Sequence, residues 1–490
     1  MEKRYWKVLL GIGILFHILA ALMMPIGLDA HVHSTYVTDK MDDGEGHLEW
    51  GELRQDSPTG STPIESSSDD RWFAWHLIMQ VWFTFFGNSI FALHLFGLLI
   101  GLACLGGIYF ISSKLVNDDS ALQITALVSI YPPIVRSTGR FYQESAILLL
   151  VTISLYFIIK ALRSSDVRTS RYWIFPVISV FIIASMKGMP FWMGMAAVIG
   201  FYLVNKIKMN MILISIIAFM VELVVVFRNS ISLMNPDIIP ALLASFIAAY
   251  LFVYCAMLLG KRLPEPYKYE TKILYNSTLF VLACLIGWVA GLWVTEAYYS
   301  NSNIFEIIYS LSNNPRYLSM LFTSLLIVGF LESESFELID NTNQTIGLTF
   351  ISVLVLINVA ILSAPVEMAG GSPLVMEDIG SQLNGEISEG EDILFVTDSK
   401  LAMHRMYSMK LTLDPESDKD NIAIWRTTDS AWKTELTECN SLLDIEWIIV
   451  GYSGISEIPD NWIEVEIDSD LVENTDYKLL KWGEDFARCP

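Results

Sequence analysis

Asp29 is a carboxylate at the exit of the chain's first apolar run, and His31 and His33 stand just beyond it. A carboxylate within hydrogen-bond reach of a hydroxyl can take its proton as the oxygen attacks. Other polar residues recur between later apolar runs. Arg136, Arg140 and Glu144 share one connection, Lys187 interrupts another, and Arg316 and Tyr317 open a third. Cations gathered round one or two acids stabilise a phosphate that leaves with growing negative charge. Phosphate is a good leaving group in itself, so one carboxylate can suffice and no general acid is needed. These residue types at a membrane face fit a sugar carried on a polyprenyl phosphate.

The elements that must hold these residues are mostly membrane spans. The chain has 490 residues, 53% of them apolar, and a mean hydropathy of +0.46. About 20 apolar residues cross the hydrocarbon of a bilayer as a helix, and runs of that length recur here. The two-residue alternation of a membrane barrel is absent. The reading is a polytopic α-helical membrane protein of about 11 spans. They are placed at 8–28, 89–112, 121–135, 145–162, 174–186, 191–204, 211–227, 239–259, 273–294, 318–331 and 346–362. The first is read as a retained span, because its apolar run is too long for a signal peptide. Residues 29–88 form the first outer loop, crowded with acids, Gly, Ser and Pro, and close on an aromatic interfacial helix, 72–86.

Lys3, Arg4, Lys7, Arg163, Arg168, Arg171, Lys206, Lys208, Lys261, Arg262, Lys268 and Lys272 fall on one side of this arrangement. That side is expected to be cytoplasmic, with the N-terminus. The first loop, the 136–144 connection, Lys187, the 298–316 loop and the tail then face outward, at a cell membrane crossed many times.

Residues 1–365 form the membrane domain and 366–490 an acidic soluble one. The tail from Glu367 holds 27 acids and 9 bases, 18 of the chain's 22 net negative charges. Such a surface excludes nucleic acid as a partner. Strands at 392–398, 422–426, 445–451, 462–467 and 477–482 alternate with helices at 400–409 and 431–443, which predicts an extracytoplasmic α/β domain with a partly parallel sheet. No Gly-rich loop follows its first strand, which argues against nucleotide binding. The tail is expected to cover the outer mouth and select acceptors. Cys439 and Cys489 could pair if it lies outside; Cys104, Cys255 and Cys284 sit in apolar spans as packing residues.

Several short motifs, in order, resemble the multi-span glycosyltransferases of the GT-C type, in the branch of the protein mannosyltransferases and the lipid A aminoarabinose transferase. Asp29 stands at that family's acidic first-loop position. Phe86-Gly87-Asn88-Ser89-Ile90-Phe91-Ala92-Leu93-His94-Leu95 resembles its "FG-x-S-x-x-A-x-R-L" opening of the second span. Tyr131-Pro132-Pro133-Ile134-Val135-Arg136 with Phe141-Tyr142-Gln143-Glu144 resembles its "P-x-x-x-R…E/D" turn. Ser185-Met186-Lys187-Gly188 resembles its "T-K-G", and Pro315-Arg316-Tyr317-Leu318 its "RYLLP". The chain departs from the pattern in three places. Ala30 replaces a second acid, Trp72-Phe73-Ala74-Trp75-His76 replaces a Pro-Pro motif, and His94 stands where Arg is usual. The Trp-Trp-Asp signature of oligosaccharyltransferases is absent.

The resemblance implies an inverting transfer of one sugar from a polyprenyl-phosphate donor to a hydroxyl of a protein, glycan or lipid acceptor. Asp29 is then the base, and Arg136, Arg140, Lys187 and Arg316 serve the phosphate. Glu144 positions donor or acceptor, and His31, His33 and Tyr317 line the substrate. No metal or other cofactor is required. Asp29, His31 and His33 would share one face of an extended segment, which allows a metal. Simpler readings stand beside these. An acid ending a span can be merely solvated, Arg136 and Arg140 can contact lipid headgroups, and Glu222 can pair with Arg228. The rival function is a transporter or flippase of a lipid-linked anion. Against it, the chain shows no repeated half and no pair of Gly/Pro-broken spans. A third possibility is a non-catalytic scaffold.

Overall fold

The computed structural model describes residues 3–43, 55–57, 60–62, 72–167, 170–189, 191–206, 235–259, 269–299, 303–310, 314–332, 341–363, 373–388, 390–397, 402–415, 423–428, 431–436, 445–451, 458–467 and 477–483. The expected span 211–227, the Glu222–Arg228 pair, the two tail cysteines and the basic residues 168, 208, 261, 262 and 268 lie outside them. The described chain packs as two units. One comprises residues 1–24, 71–75 and 94–365; the other 25–70, 76–93 and 366–490. Most of the expected first outer loop therefore groups with the tail.

The first unit is helical. Its helices are α1 (Lys3–Met23), α4 (Ile90–Leu115), α5 (Asp118–Ser129), α6 (Pro132–Gly139), α7 (Glu144–Leu162), α8 (Ile174–Met186), α9 (Phe191–Lys206), α10 (Ile238–Leu259), α11 (Tyr269–Tyr299), α12 (Ile304–Ser310), α13 (Phe322–Glu332) and α14 (Asn341–Ser363). Residues 90–93 of α4 group with the second unit. Among the described residues, α1, α4, α7 and α11 are long and apolar enough to cross a membrane. Leu22 of α1, Ile174 of α8, Phe191 of α9 and Leu356 of α14 are exposed, as residues facing lipid must be.

The expected span 121–135 is broken, and the break places the site. Asn117 starts α5, its side chain accepting from Ser120 N at 2.8 Å. Tyr131 is extended and Pro132 opens α6. A residue before proline is driven out of the helical region, and a proline ring cannot donate to the turn before it. The helix therefore stops and restarts, and it runs on to Gly139 where a polar connection from 136 was expected. A 3-10 stretch, Asn314–Leu321, likewise replaces the start of the expected span at 318.

Small residues let α6 press against its neighbours, as membrane helices require. A Cβ on Gly139 would lie 2.6 Å from Ala20 O, and one on Gly101 2.4 Å from Thr138 Oγ1. The His17 ring meets Thr138 Oγ1 at 2.7 Å in the same seam. Gly139→Ala should force α1 and α6 apart and lose about 1–3 kcal/mol, read as a fall in thermal midpoint in detergent.

The second unit joins α2 (Leu28–Asp43), the greater part of α3 (Phe73–Phe86) and the tail. The segment after Asp29, expected as an irregular loop, is helical to Asp43. In the tail, α15 (Pro373–Asn384) and α16 (Ala402–Leu413) pack on a five-stranded sheet of order β4-β3-β5-β7-β6. Its strands are β3 (Asp392–Val396), β4 (Ala423–Arg426), β5 (Ile445–Gly451), β6 (Trp462–Val465) and β7 (Tyr477–Trp482); β1 (Gln55–Ser57) and β2 (Gly60–Thr62) form a separate hairpin. β3 pairs parallel with β4 and β5, and β7 antiparallel with β5 and β6. The mixed sheet and all five strand positions follow the sequence expectation. The expected helix 431–443 is the short α17 (Trp432–Glu435), with 437–444 outside the described residues.

Candidate functional site

In the first unit the site forms at the turn between α6 and α7. Phe141 sits there at φ +55°, a left-handed conformation that costs a bulky residue of order 1–3 kcal/mol. The surroundings hold it. Its buried ring packs against Trp75 and Phe96, with centroids 5.4 Å from each. Ser137 Oγ donates to Tyr142 O at 3.0 Å, and Tyr142 N donates to Ser137 O at 2.9 Å. This strained turn sends Arg140, Tyr142 and Glu144 to their places.

Glu144 is 2% exposed. Its Oε1 accepts from Lys187 Nζ at 2.5 Å and lies 3.3 Å from Arg316 Nε. The Arg316 guanidinium stacks on the Tyr142 ring at 3.9 Å, and that of Arg140 approaches the same ring at 5.8 Å. Lys187 Nζ lies 4.7 Å from the Tyr317 ring centre. Four expected cations and one expected acid thus come together, from α6, the α6–α7 turn, α7, the end of α8 and the 3-10 stretch.

The cluster is electrostatically incomplete. Among the described residues Lys187 and Arg316 contact the Glu144 carboxylate, while Arg140 and Arg136 stand close to this group as further cations. Arg140 is 2% exposed, yet its Nε makes no hydrogen bond among the described residues, nor do Nε and Nη2 of Arg136. A buried donor without a partner costs about 1–3 kcal/mol, more when charged. An anion with several acceptor oxygens would satisfy these groups together.

Tyr142 was not singled out from sequence, although it lies inside the quoted motif. Its signal is its place between two arginines of the same turn. Tyr142→Leu should raise the donor KM roughly 2- to 30-fold, the worth of a buried cation–π contact, whereas Tyr142→Phe keeps the ring and should stay near wild type. Steady-state kinetics on both variants check this.

In the second unit Asp29 is half-buried in the first turn of α2, where the helix dipole favours a negative charge. At 3.6 residues per turn His33 shares its face and His31 points away. His33 Nδ1 lies 3.0 Å from His76 Nε2, and Tyr36, one turn further, stacks on the His76 ring at 4.6 Å. His31 is fully buried, its Nε2 2.8 Å from Glu377 Oε1 and its Nδ1 3.0 Å from Gly27 O. The helix thus corrects the common face that an extended segment would give Asp29, His31 and His33 as metal ligands. Among the described residues no three His, Cys, Asp or Glu are grouped to hold a metal ion. His76 and Glu377 had no sequence signal: both lie far along the chain from the residues they meet.

Residues 72–232 match the family described as dolichyl-phosphate-mannose-protein mannosyltransferase. No curated protein matches the chain. Among solved structures, ArnT from Cupriavidus metallidurans bound to undecaprenyl phosphate is similar at 9% identity, covering 98% of both chains with a TM-score of 0.46. The arabinofuranosyltransferase AftD from Mycobacteria is similar at 11% identity, over 99% of this chain and 40% of that one, with a TM-score of 0.45. The Archaeoglobus fulgidus oligosaccharyltransferase in its apo form is similar at 10% identity, over 91% of this chain and 70% of that one, with a TM-score of 0.43.

Proposed function

We propose that the chain is a multi-pass membrane glycosyltransferase of the GT-C type, a reading supported by its family match over residues 72–232, and that it moves one sugar from a polyprenyl-phosphate donor to an acceptor hydroxyl with inversion. The observation that carries this is the cation cluster in which Arg140 Nε and Arg136 Nε and Nη2 make no hydrogen bond among the described residues. Arg136, Arg140, Lys187 and Arg316 bind the donor's phosphate, and Glu144 holds Lys187 and Arg316 in place. Asp29 takes the acceptor's proton. The acceptor oxygen bonds to the anomeric carbon from the face opposite the leaving group. The bond from that carbon to the phosphate oxygen breaks, and the electron pair leaves with the polyprenyl phosphate. His33 and Tyr317 line the substrate beside the groups that act on it. The N-terminus is cytoplasmic, and the reaction and the tail domain are on the outer side. A protein, glycan or lipid can supply the hydroxyl.

Purified protein in detergent tests the phosphate assignment. Polyprenyl monophosphate should raise its thermal midpoint, while the uncharged polyprenol should not. Equal shifts from both would mean that the tail of the lipid, and not its phosphate, is what the protein recognises.

A further inference from the structure

We infer that the tail domain clamps the Asp29 helix, with Glu377, Lys410 and Asn88 as positioning residues for the proposed base. This rests on the reading of Asp29 as base. All the contacts involved lie within the second unit.

Helix α2 has two opposed faces. Asp29, His33, Tyr36 and Lys40 recur at the spacing of one face, and that face meets His76 through His33 and Tyr36. His31, Thr35, Thr38 and Asp42 mark the other. Here, and on its flank at Asp39, the helix is tied to the tail at both ends. At its N-terminal end His31 bonds Glu377 of α15. At its C-terminal end Asp39 Oδ1 lies 3.7 Å from Lys410 Nζ of α16, which also lies 3.9 Å from Asp414 Oδ2. Asn88 Nδ2 donates to Thr38 Oγ1 at 3.0 Å and to Pro415 O at 2.5 Å. Val32 packs against the apolar core of the tail between these ties.

Asp39, Lys410, Asp414 and Glu377 are each less than a tenth exposed. Buried charged groups contribute little net stability but are costly to leave with one partner gone. They therefore fix a position more than they strengthen a fold. The α15–α16 pair that supplies them is itself rigidly built. A Cβ on Gly380 would lie 2.4 Å from Met409 O, and Thr412 Oγ1 donates to Glu377 O at 2.9 Å. The Tyr407 phenol is buried beside the same group, and burial, then Asp39, pushes it above its ordinary range.

The His31 bonds give the clamp a chemical signature. Both ring nitrogens face oxygen acceptors, a carbonyl and a carboxylate, and a neutral imidazole can donate only once. A glutamine at 377 could turn its amide to either donate or accept, and so keep the tie with His31. An alanine could not.

The test uses the full chain in detergent, with Glu377→Ala, Glu377→Gln and Lys410→Met. Two quantities are read: kcat against donor KM, and hydrogen exchange of the backbone amides over residues 30–43. Glu377→Ala should lower kcat about 10- to 100-fold, the cost of misplacing a reacting group by about 1 Å, with donor KM within about twofold. Its amides over 30–43 should exchange about tenfold faster or more. Glu377→Gln should restore both, and Lys410→Met should speed exchange in the second half of the helix. Wild-type exchange in Glu377→Ala and Lys410→Met would overturn the clamp, and faster exchange with unchanged kcat would overturn the positioning role. If either variant fails to insert, Asn88→Ala carries the same test over residues 36–43. Should Asp29→Asn keep its activity, the base assignment fails, and the exchange measurement alone still decides the clamp.

Discussion

Asp29→Asn is expected to lower kcat by about 10²–10⁴-fold, the usual worth of a positioned general base, with little change in donor KM. The substitution is nearly isosteric. Asp29 is half-buried in the first turn of α2, and asparagine is tolerated at helix starts. The helix is held by His31, Thr38 and Asp39, so the fold and the 30–43 exchange pattern should be unchanged. The loss then belongs to proton removal. The check is single-turnover transfer with saturating donor, since binding the phosphate does not involve this carboxylate. Activity within about tenfold of wild type would remove Asp29 as base. The remaining candidate, Glu144, is already bonded to Lys187 and lies against Arg316.

Arg140→Gln should lower kcat/KM by about 10²–10³-fold, as the loss of one preorganised donor to a developing oxyanion does. Its guanidinium is buried with Nε unpartnered among the described residues, Arg136 stands near it as a like charge, and Arg316 approaches the same Tyr142 ring. Removing it should therefore leave the thermal midpoint of the ligand-free protein unchanged or raised. A loss of activity with no loss of stability separates a substrate-binding arginine from a structural one. Arg140→Lys should recover little, because a point charge cannot replace a planar fork with five donors. Kinetics and thermal unfolding on the same preparations check both statements. A parallel fall in stability and activity would make Arg140 a packing residue.

The cation cluster was legible in the sequence as basic residues recurring on the expected outer side, although Arg136 and Arg140 there also fit contacts to lipid headgroups. Lys187 stood out because it sits between two apolar spans, where a charge is costly, and Arg136, Arg140 and Arg316 because they lie in polar connections within family-like motifs. The convergence of Lys187 and Arg316 on Glu144 needed the structure, since the two come from distant elements. The tail's strands were legible from their apolar runs, with the parallel pairing implied by the helix between β3 and β4. The α2 helix was not. Ten of its sixteen residues are polar or charged, among them Thr, His, Ser and Asp, which read as a loop by propensity. Tertiary ties to Glu377, Lys410 and Asn88 supply the order that propensity lacks, and each partner lies tens or hundreds of residues away. The break at Tyr131-Pro132 was within reach of sequence reasoning, because a Pro-Pro pair rarely continues a helix. Apolar length alone had smoothed it over.

The most direct measurement is the fate of the sugar. Membranes containing the full-length chain are given a polyprenyl-phosphate donor labelled in the sugar, beside membranes containing Asp29→Asn. With the wild-type chain, label should leave the lipid fraction and join an acceptor covalently, with free polyprenyl phosphate released in equal amount, and Asp29→Asn should show neither. Label that crosses the bilayer still attached to its lipid, with no polyprenyl phosphate released, would contradict the account and make the cation cluster part of a transporter.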